Sequence, residues 1–128
     1  MIDELSGSTS ALVKVMLDAN LQSQRLSANN IANVNSRGYS PMAVDFTRLY
    51  QDAEAILLGK GESSVNELNA VKGAVGSREY TLTQNSEVSL DMEMVRLNQA
   101  VVQYQTLLKA LGKYGGLVKM AINGEQAK

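Results

Sequence analysis

Acidic side chains in the middle of the chain are the first candidates for chemistry. Asp45, Asp52, Glu54 and Glu62 could supply a pair of carboxylates for hydrolysis or for binding a metal ion. No pair stands out by spacing, and scattered solvated acids are the simpler interpretation. The chain has no His and no Cys, so it lacks the commonest general base and metal ligand as well as thiolate chemistry. We therefore predict that it is not an enzyme and has no catalytic residue, cofactor or metal site.

A glycine-rich segment at residues 58–63, Leu-Gly-Lys-Gly-Glu-Ser, could bind phosphate. A phosphate-binding loop requires the spacing G-x-x-x-x-G-K-[ST] between a strand and a helix, and this segment lacks it. An ordinary loop is the better interpretation. The 12 basic and 13 acidic residues give a net charge of −1, so no positive field would attract a nucleic acid. We expect neither a nucleic acid nor a small-molecule substrate.

The apolar residues are distributed for packing and not for crossing a membrane. Apolar runs do not exceed four residues, as at 55–58, whereas a membrane helix needs roughly 20. Asp3 and Glu4 stand where a Sec signal peptide has basic residues before an apolar run. We expect a chain without a membrane span and without a Sec signal.

The C-terminal region has the most regular pattern, which predicts a helix over residues 90–122. Its apolar side chains recur at alternating spacings of four and three, and we call them the heptad stripe: Leu90, Met94, Leu97, Val101, Tyr104, Leu108 and Leu111. Ser89 fits the N-cap position. Such a helix would be about 50 Å long, whereas a compact globule of this chain length is about 36 Å across. The helix therefore needs a partner along its length.

A second long helix is predicted from Ser8 to Asn33, because this region has good helix formers and no proline or glycine. Its apolar residues form two neighbouring stripes. The residues that we expect at an assembly interface, together with the heptad stripe, are Leu12, Met16 and Leu26 in the first stripe and Leu17, Leu21, Ala28 and Ile31 in the second. A sustained heptad pattern favours coiled-coil packing, so we predict that the two helices pair antiparallel. One stripe of the first helix would then remain for a neighbouring subunit.

The region between the helices holds five of the ten Gly and the only Pro. The pattern of residues 46–58 predicts a helical turn or two, and the alternation of polar and apolar residues at 79–83 is typical of a strand. We divide the chain into an N-terminal helix with an Asn-rich end (1–35), a loop-rich middle segment (36–87) and a C-terminal heptad helix (88–128). The predicted fold class is mainly α, with long terminal helices paired as an antiparallel coiled coil and an irregular middle that can hold a short β-hairpin.

The end of the first helix is unusually rich in Asn, with four Asn among residues 29–35. Asn can hydrogen-bond backbone groups at a helix end and can fix register when it lies in a helical interface. Gly38 would supply a positive φ for the following turn, and Tyr39 would pack back on it. An ordinary helix end and turn explains the stretch locally, and a role in subunit register is the functional alternative.

Residues 26–39, Leu-Ser-Ala-Asn-Asn-Ile-Ala-Asn-Val-Asn-Ser-Arg-Gly-Tyr, resemble the N-terminal signature of the flagellar axial proteins, the rod and hook family. The signature reads roughly S-x-N-[IL]-A-N-x-x-T-P-G-Y, with Ser36 and Arg37 here at its Thr-Pro. The positions that carry the motif are Asn29, Asn30, Ala32, Asn33, Gly38 and Tyr39. Residues 88–94, Val-Ser-Leu-Asp-Met-Glu-Met, look like the matching C-terminal end. The short chain and Val-Asp-Phe at 44–46 are most similar to the proximal rod proteins.

The resemblance implies a structural subunit of the flagellar basal-body rod, a periplasmic tube in which paired terminal helices line the core and transmit torque from motor to hook. The implied partners are copies of the chain, other flagellar axial proteins, the basal-body adaptor at the membrane ring and the type III export apparatus. Export by that apparatus needs no Sec signal. The alternative is a soluble helical-hairpin adaptor or a secretion chaperone of a type III export system.

Overall fold

The computed structural model describes residues 2–59 and 64–126, with side chains described over 7–59 and 64–124. Within these ranges the chain forms helices that we label in chain order: Ile2–Ala32 (α1), Phe46–Leu58 (α2), Ser64–Ala74 (α3) and Leu90–Gln126 (α4). Two short strands, Met42–Val44 (β1) and Thr81–Thr83 (β2), pair antiparallel. The predicted fold class, mainly α with long terminal helices, is confirmed, and the middle segment contains a small two-stranded sheet.

Both terminal helices are longer than the sequence pattern indicated. α1 begins at Ile2 and continues through Gly7, where a side-chain Cβ would come within 3.4 Å of Val65 Cγ2 in α3. A Cβ at this distance would make an ordinary van der Waals contact, so Gly7 lies beside α3 without glycine being required there. α4 begins at the predicted residue, and Ser89 caps it, because its carbonyl oxygen accepts from the Glu93 N–H at 2.9 Å and its hydroxyl from the Met92 N–H at 3.5 Å.

α1 makes its most extensive contacts with α4. Asn20 lines a cleft with Thr106, and Ser23, further along α1, lines a cleft with Gln99, which comes earlier in α4. The two helices therefore run antiparallel. The 37 residues of α4 make it about 55 Å long at 1.5 Å per residue. No helix in the described ranges combines the length and hydrophobicity that a membrane span requires.

The middle segment contains more regular helix than the sequence predicted. α2 has 13 residues, and its first turn is capped by Asp45, whose Oδ1 accepts from the Arg48 N–H at 3.1 Å. α3 was not predicted, because its one fully buried residue, Leu68, leaves too weak a pattern. β1 and β2 are separated in sequence by both middle helices, so the sheet closes the middle segment against α1.

The core lies between α1 and the middle segment. Small and branched residues on one face of α1 pack against both middle helices and the 3-10 turn at Arg78–Tyr80. The buried residues of this core, from all of these elements, are Ala11, Val15, Ala19, Leu49, Ala53, Leu68, Val75 and Tyr80. α1 is thus the central helix, with the core on one side and α4 on another. No residue of α4 belongs to this core cluster among the described side chains.

Candidate assembly interface

The Asn-rich end of α1 is fastened to β1 by one side chain, Asn30, which is fully buried. Its Nδ2 donates to the Met42 carbonyl oxygen at 2.8 Å, and its Oδ1 accepts from the Met42 N–H at 3.0 Å. The same Oδ1 accepts from the Tyr39 hydroxyl at 2.8 Å. The carboxamide therefore bonds the outer edge of β1 as a neighbouring strand would. The sequence motif includes Asn29, Asn30 and Asn33 without distinguishing them, and it is Asn30 that makes the long-range contact.

The other motif residues shape the connection between α1 and β1. Asn33 Nδ2 donates to the Asn29 carbonyl oxygen at 2.9 Å, and Ser36 Oγ donates to Asn33 Oδ1 at 3.2 Å. Gly38 has a φ of +75°, and the Tyr39 N–H donates to the Ser36 carbonyl oxygen at 3.3 Å. Residues 36–39 thus form a β-turn with a positive φ at its third position, as in a type II turn.

This turn explains the family signature physically. A type II turn favours Pro at its second position and Gly at its third, and Thr-Pro-Gly-Tyr meets both preferences. Arg37 occupies the second position here, so the turn retains its required glycine and loses the rigidity that Pro would give. Ala32 is exposed beside this turn.

The heptad stripe of α4 divides between two faces. The line of α4 that faces α1 runs through Glu93, Leu97, Ala100, Tyr104, Leu107 and Leu111, all buried or half-buried. Leu97, Tyr104 and Leu111 belong to the predicted stripe. At the other stripe positions the residue that faces α1 comes one position before the predicted residue: Glu93 faces α1 instead of Met94, and Ala100 instead of Val101.

The remaining stripe residues form an apolar surface that we call the exposed ridge, consisting of Leu90, Met94, Val101 and Leu108. Leu90 is 44%, Met94 51% and Leu108 45% exposed, and Val101 is half-buried. Successive helical residues are about 100° apart, so Gln99 and Val101 flank Ala100 on opposite sides. Gln99 faces the middle segment. The exposed ridge therefore lies on the side of the helix pair away from the middle segment.

The α1 residues of the predicted interface are distributed around the helix. Leu17 and Leu26 are buried, and Leu12 and Met16 pack against the core. Leu21 and Ile31 are half-buried, and Ala28 is exposed.

A buried ion pair at the start of α4 was not anticipated. Glu93 is 2% exposed, and its Oε1 accepts from Arg96 Nη1 at 2.9 Å. Its second oxygen, Oε2, has no hydrogen-bond partner within the described part of the chain. Glu93 is a charged residue in the α1-facing line. A shift of α4 along α1 would move its carboxylate into a different environment, so Glu93 limits the registers that the helix pair can adopt.

The acidic residues considered at the outset do not assemble a catalytic pair. Asp45 caps α2, and Asp52 Oδ2 accepts from the Tyr80 hydroxyl at 2.6 Å. Burial and this carboxylate raise the pKa of Tyr80 to about 12. Glu54 is exposed, and Glu62 lies outside the described residues, as does most of the glycine-rich segment 58–63. Across 2–59 and 64–126 no group of three acidic residues is placed to hold a metal ion.

Comparison with known proteins agrees with the sequence motifs. No family model matches the chain, and no solved structure matches it significantly. Over 126 residues the chain is 27% identical to the flagellar basal body rod protein FlgB of Bacillus subtilis (strain 168), covering 94% of this chain and 97% of the relative. The similarity thus spans both helical ends and the middle segment. It supports a relationship to the flagellar rod protein family.

Proposed function

We propose that this chain is a structural subunit of the bacterial flagellar basal-body rod, of the proximal FlgB type, and that it polymerises through its terminal helices. The observation that carries the proposal is the exposed ridge on a long helix pair, in a chain that is similar over nearly its whole length to a rod protein. Three large apolar side chains at least 44% exposed on one helical face are costly in water and are typical of a surface that is buried by a partner.

The stiffness of this arrangement supports the proposed transmission of torque. Rotation passes from one subunit to the next only through packed contacts, which must be distributed along a rigid element. α4 is one continuous helix of about 55 Å, and the most extensive contacts of α1 are those with α4. The Asn30 contact fastens the end of α1 to β1, so a load on the helix pair is shared with the middle segment.

The proposed partners are further copies of the chain, neighbouring axial proteins, the basal-body adaptor at the membrane ring and the type III export apparatus. The proposed location is the periplasmic part of the basal body. An enzymatic role has no support, since Asp45 and Asp52 serve the fold and the relative is a rod protein. The adaptor or chaperone alternative is not favoured for the same reason.

The proposal is tested in the organism that encodes the chain. Deleting its gene should abolish hooks, filaments and swimming, and reintroducing the gene should restore them. A ridge variant with Met94→Glu and Leu108→Glu should fail to restore motility, although both sites are exposed and the subunit should fold. The matched control is Val95→Glu with Leu117→Glu, two exposed residues of the same helix outside the ridge, which should restore swimming. Complete rods in the deletion strain would refute the proposed function.

A further inference from the structure

A trough runs between three helices on the opposite side of α4 from the exposed ridge. α1 forms its floor, and α2 and α4 form its walls. It has two hollows, both of which include Met16 and Tyr50. The first hollow is completed by Leu12, Ala53, Glu54, Leu57 and Leu58, and the second by Asn20, Val102, Gln103, Thr106 and Leu107. Three helices around an open apolar trough leave space for a fourth, as in a four-helix arrangement.

The trough is apolar and open to solvent. Tyr50 is 50%, Leu58 70% and Val102 60% exposed, and these side chains belong to walls contributed by different helices. Single exposed apolar residues are normal, but a contiguous set that lines a concave surface indicates a binding site. The ligand must present apolar side chains on a convex surface.

The trough also contains an unpaired polar group. Asn20 is 3% exposed; its Nδ2 donates to the Met16 carbonyl oxygen at 2.9 Å, and its Oδ1 has no partner in the described part of the chain. A buried acceptor without a partner is unfavourable. The terminal torsion of an Asn side chain rotates easily, so the Asn20 oxygen can turn to accept a hydrogen bond from a donor on the bound ligand. A purely aliphatic ligand would leave it unpaired.

The exposed ridge has the features that this trough requires. Val101 and Leu108 are seven residues apart, which is about 10 Å along a helix, so two side chains can enter the two hollows. Asn98 and Gln105 are exposed on the same flank of α4 and carry amide donors. Lys109 follows Leu108, and from residue 94 to 124 the chain has no acidic residue. Among the residues that the structure describes, Glu54 is the one charged residue that lines the trough, so the charges are complementary.

We propose that the trough binds α4 of a second copy through its exposed ridge, with Leu108 in the first hollow, near Glu54, and Val101 in the second, near Asn20. The inference deepens the proposed function, because the partner it names is another subunit of the same polymer. The ridge and the trough lie on opposite sides of α4. In each contact one copy contributes its ridge and the other its trough, so each copy keeps its second surface free for a further subunit. Such a head-to-tail contact repeats and produces an open filament, whereas a contact between two ridges would close as a dimer.

Disulfide trapping tests the contact directly, because the chain has no Cys of its own. One full-length copy carries Leu108→Cys and the other Leu57→Cys, and the two are mixed in equal amounts under mild oxidation. We expect linked heterodimers in at least ten-fold higher yield than with Val95→Cys in place of Leu57→Cys. Val95 is exposed on α4 and lines neither hollow. Equal yields, or predominant linkage between two Leu108→Cys copies, would overturn the proposal.

Sedimentation of blocked variants tests the head-to-tail geometry. Leu108→Glu blocks the ridge and Val102→Arg blocks the trough, so each variant alone should be monomeric at concentrations where the unmodified chain forms a growing series of oligomers. An equimolar mixture should form dimers and nothing larger. If the trough variant still associates as the unmodified chain does, the trough is not used and this inference falls. The proposed function would then stand on the motility result for the ridge variant alone.

Discussion

Replacing Asn30 by alanine removes the side chain that hydrogen-bonds the end of α1 to β1. Asn30 is fully buried and takes part in three hydrogen bonds, two with the backbone of Met42 and one with the Tyr39 hydroxyl. The substitution leaves the Met42 N–H and carbonyl oxygen and the Tyr39 hydroxyl without this partner. The end of α1 and the short sheet should separate before the rest of the core is affected.

The magnitude follows from the three bonds. Each contributes about 1 kcal/mol net to stability, and a buried group left unpaired costs about 1–3 kcal/mol. Met42 and Tyr39 are half-buried, so water can reach their freed groups and offsets part of that penalty. We expect Asn30→Ala to lower the free energy of unfolding by about 3 kcal/mol, or the melting temperature by about 12 °C at about 4 °C per kcal/mol.

The assay is urea denaturation of the full-length chain, followed by circular dichroism. Asn33→Ala is the matched control, because Asn33 lies in the same motif and its side-chain bond to Asn29 is exposed, so it should cost no more than about 0.5 kcal/mol. Tyr39→Phe should cost about 1 kcal/mol alone and almost nothing after Asn30→Ala, because the partner of the hydroxyl is then already missing.

An acidic replacement adds a pH signature. Asn30→Asp keeps the shape but places an oxygen where Nδ2 lies 2.8 Å from the Met42 carbonyl oxygen. Burial and that carbonyl raise the pKa of the introduced carboxyl above its unfolded value, near 4. The folded state then binds the proton more tightly, so stability is greatest at low pH and falls as pH rises through the folded pKa. Equal losses for Asn30→Ala and Asn33→Ala, with no pH dependence for Asn30→Asp, would refute the reasoning.

Three further outcomes are expected. Arg37→Pro should raise the free energy of unfolding by about 0.4–1 kcal/mol in thermal or urea denaturation, because Pro restricts the unfolded chain and suits the second position of the turn; a loss of stability would show that the turn is of another type. The pKa of Tyr80 is raised from 10.0 to about 12, so the folded state holds this proton more tightly and stability falls as pH rises over that interval; Tyr80→Phe should remove that part of the fall in alkaline denaturation. Amide hydrogen exchange in the monomer should be faster in α4 than in the middle of α1, because Ala100 is the only buried apolar residue of α4 among the described side chains; equal protection would contradict this.

The sequence was sufficient for the terminal helices because their patterns are local. Alternating spacings of four and three predict a helix whatever it packs against, and Ser89 marked the first residue of α4 correctly. Gly7 misled the prediction of where α1 begins, since glycine usually interrupts a helix. Its place beside Val65 depends on α3, which no local pattern indicates.

The middle segment and the Asn30 contact depend on residues distant in sequence. α3 buries only Leu68 fully, and Val65, Val71 and Ala74 pack against the core while partly buried, so its apolar face is short and gives a weak pattern. The importance of Asn30 over Asn29 and Asn33 comes from the position of Met42, 12 residues further on. The β-turn at residues 36–39 brings the two together, and its one reliable sequence signal is Gly38.

The division of the heptad stripe between two faces also could not be predicted from the sequence. Seven apolar residues at regular spacing predict one packed line, yet the α1-facing line includes the charged Glu93 and the small Ala100, which leave Met94, Val101 and Leu108 on its flank. The core that folds the subunit lies in α1 and the middle segment. α4 therefore contributes little to the core, and Met94 and Leu108 remain exposed on its surface. A helix that serves only its own fold would bury such residues first; the arrangement in α4 is the one expected of a helix whose packing is completed by the next subunit.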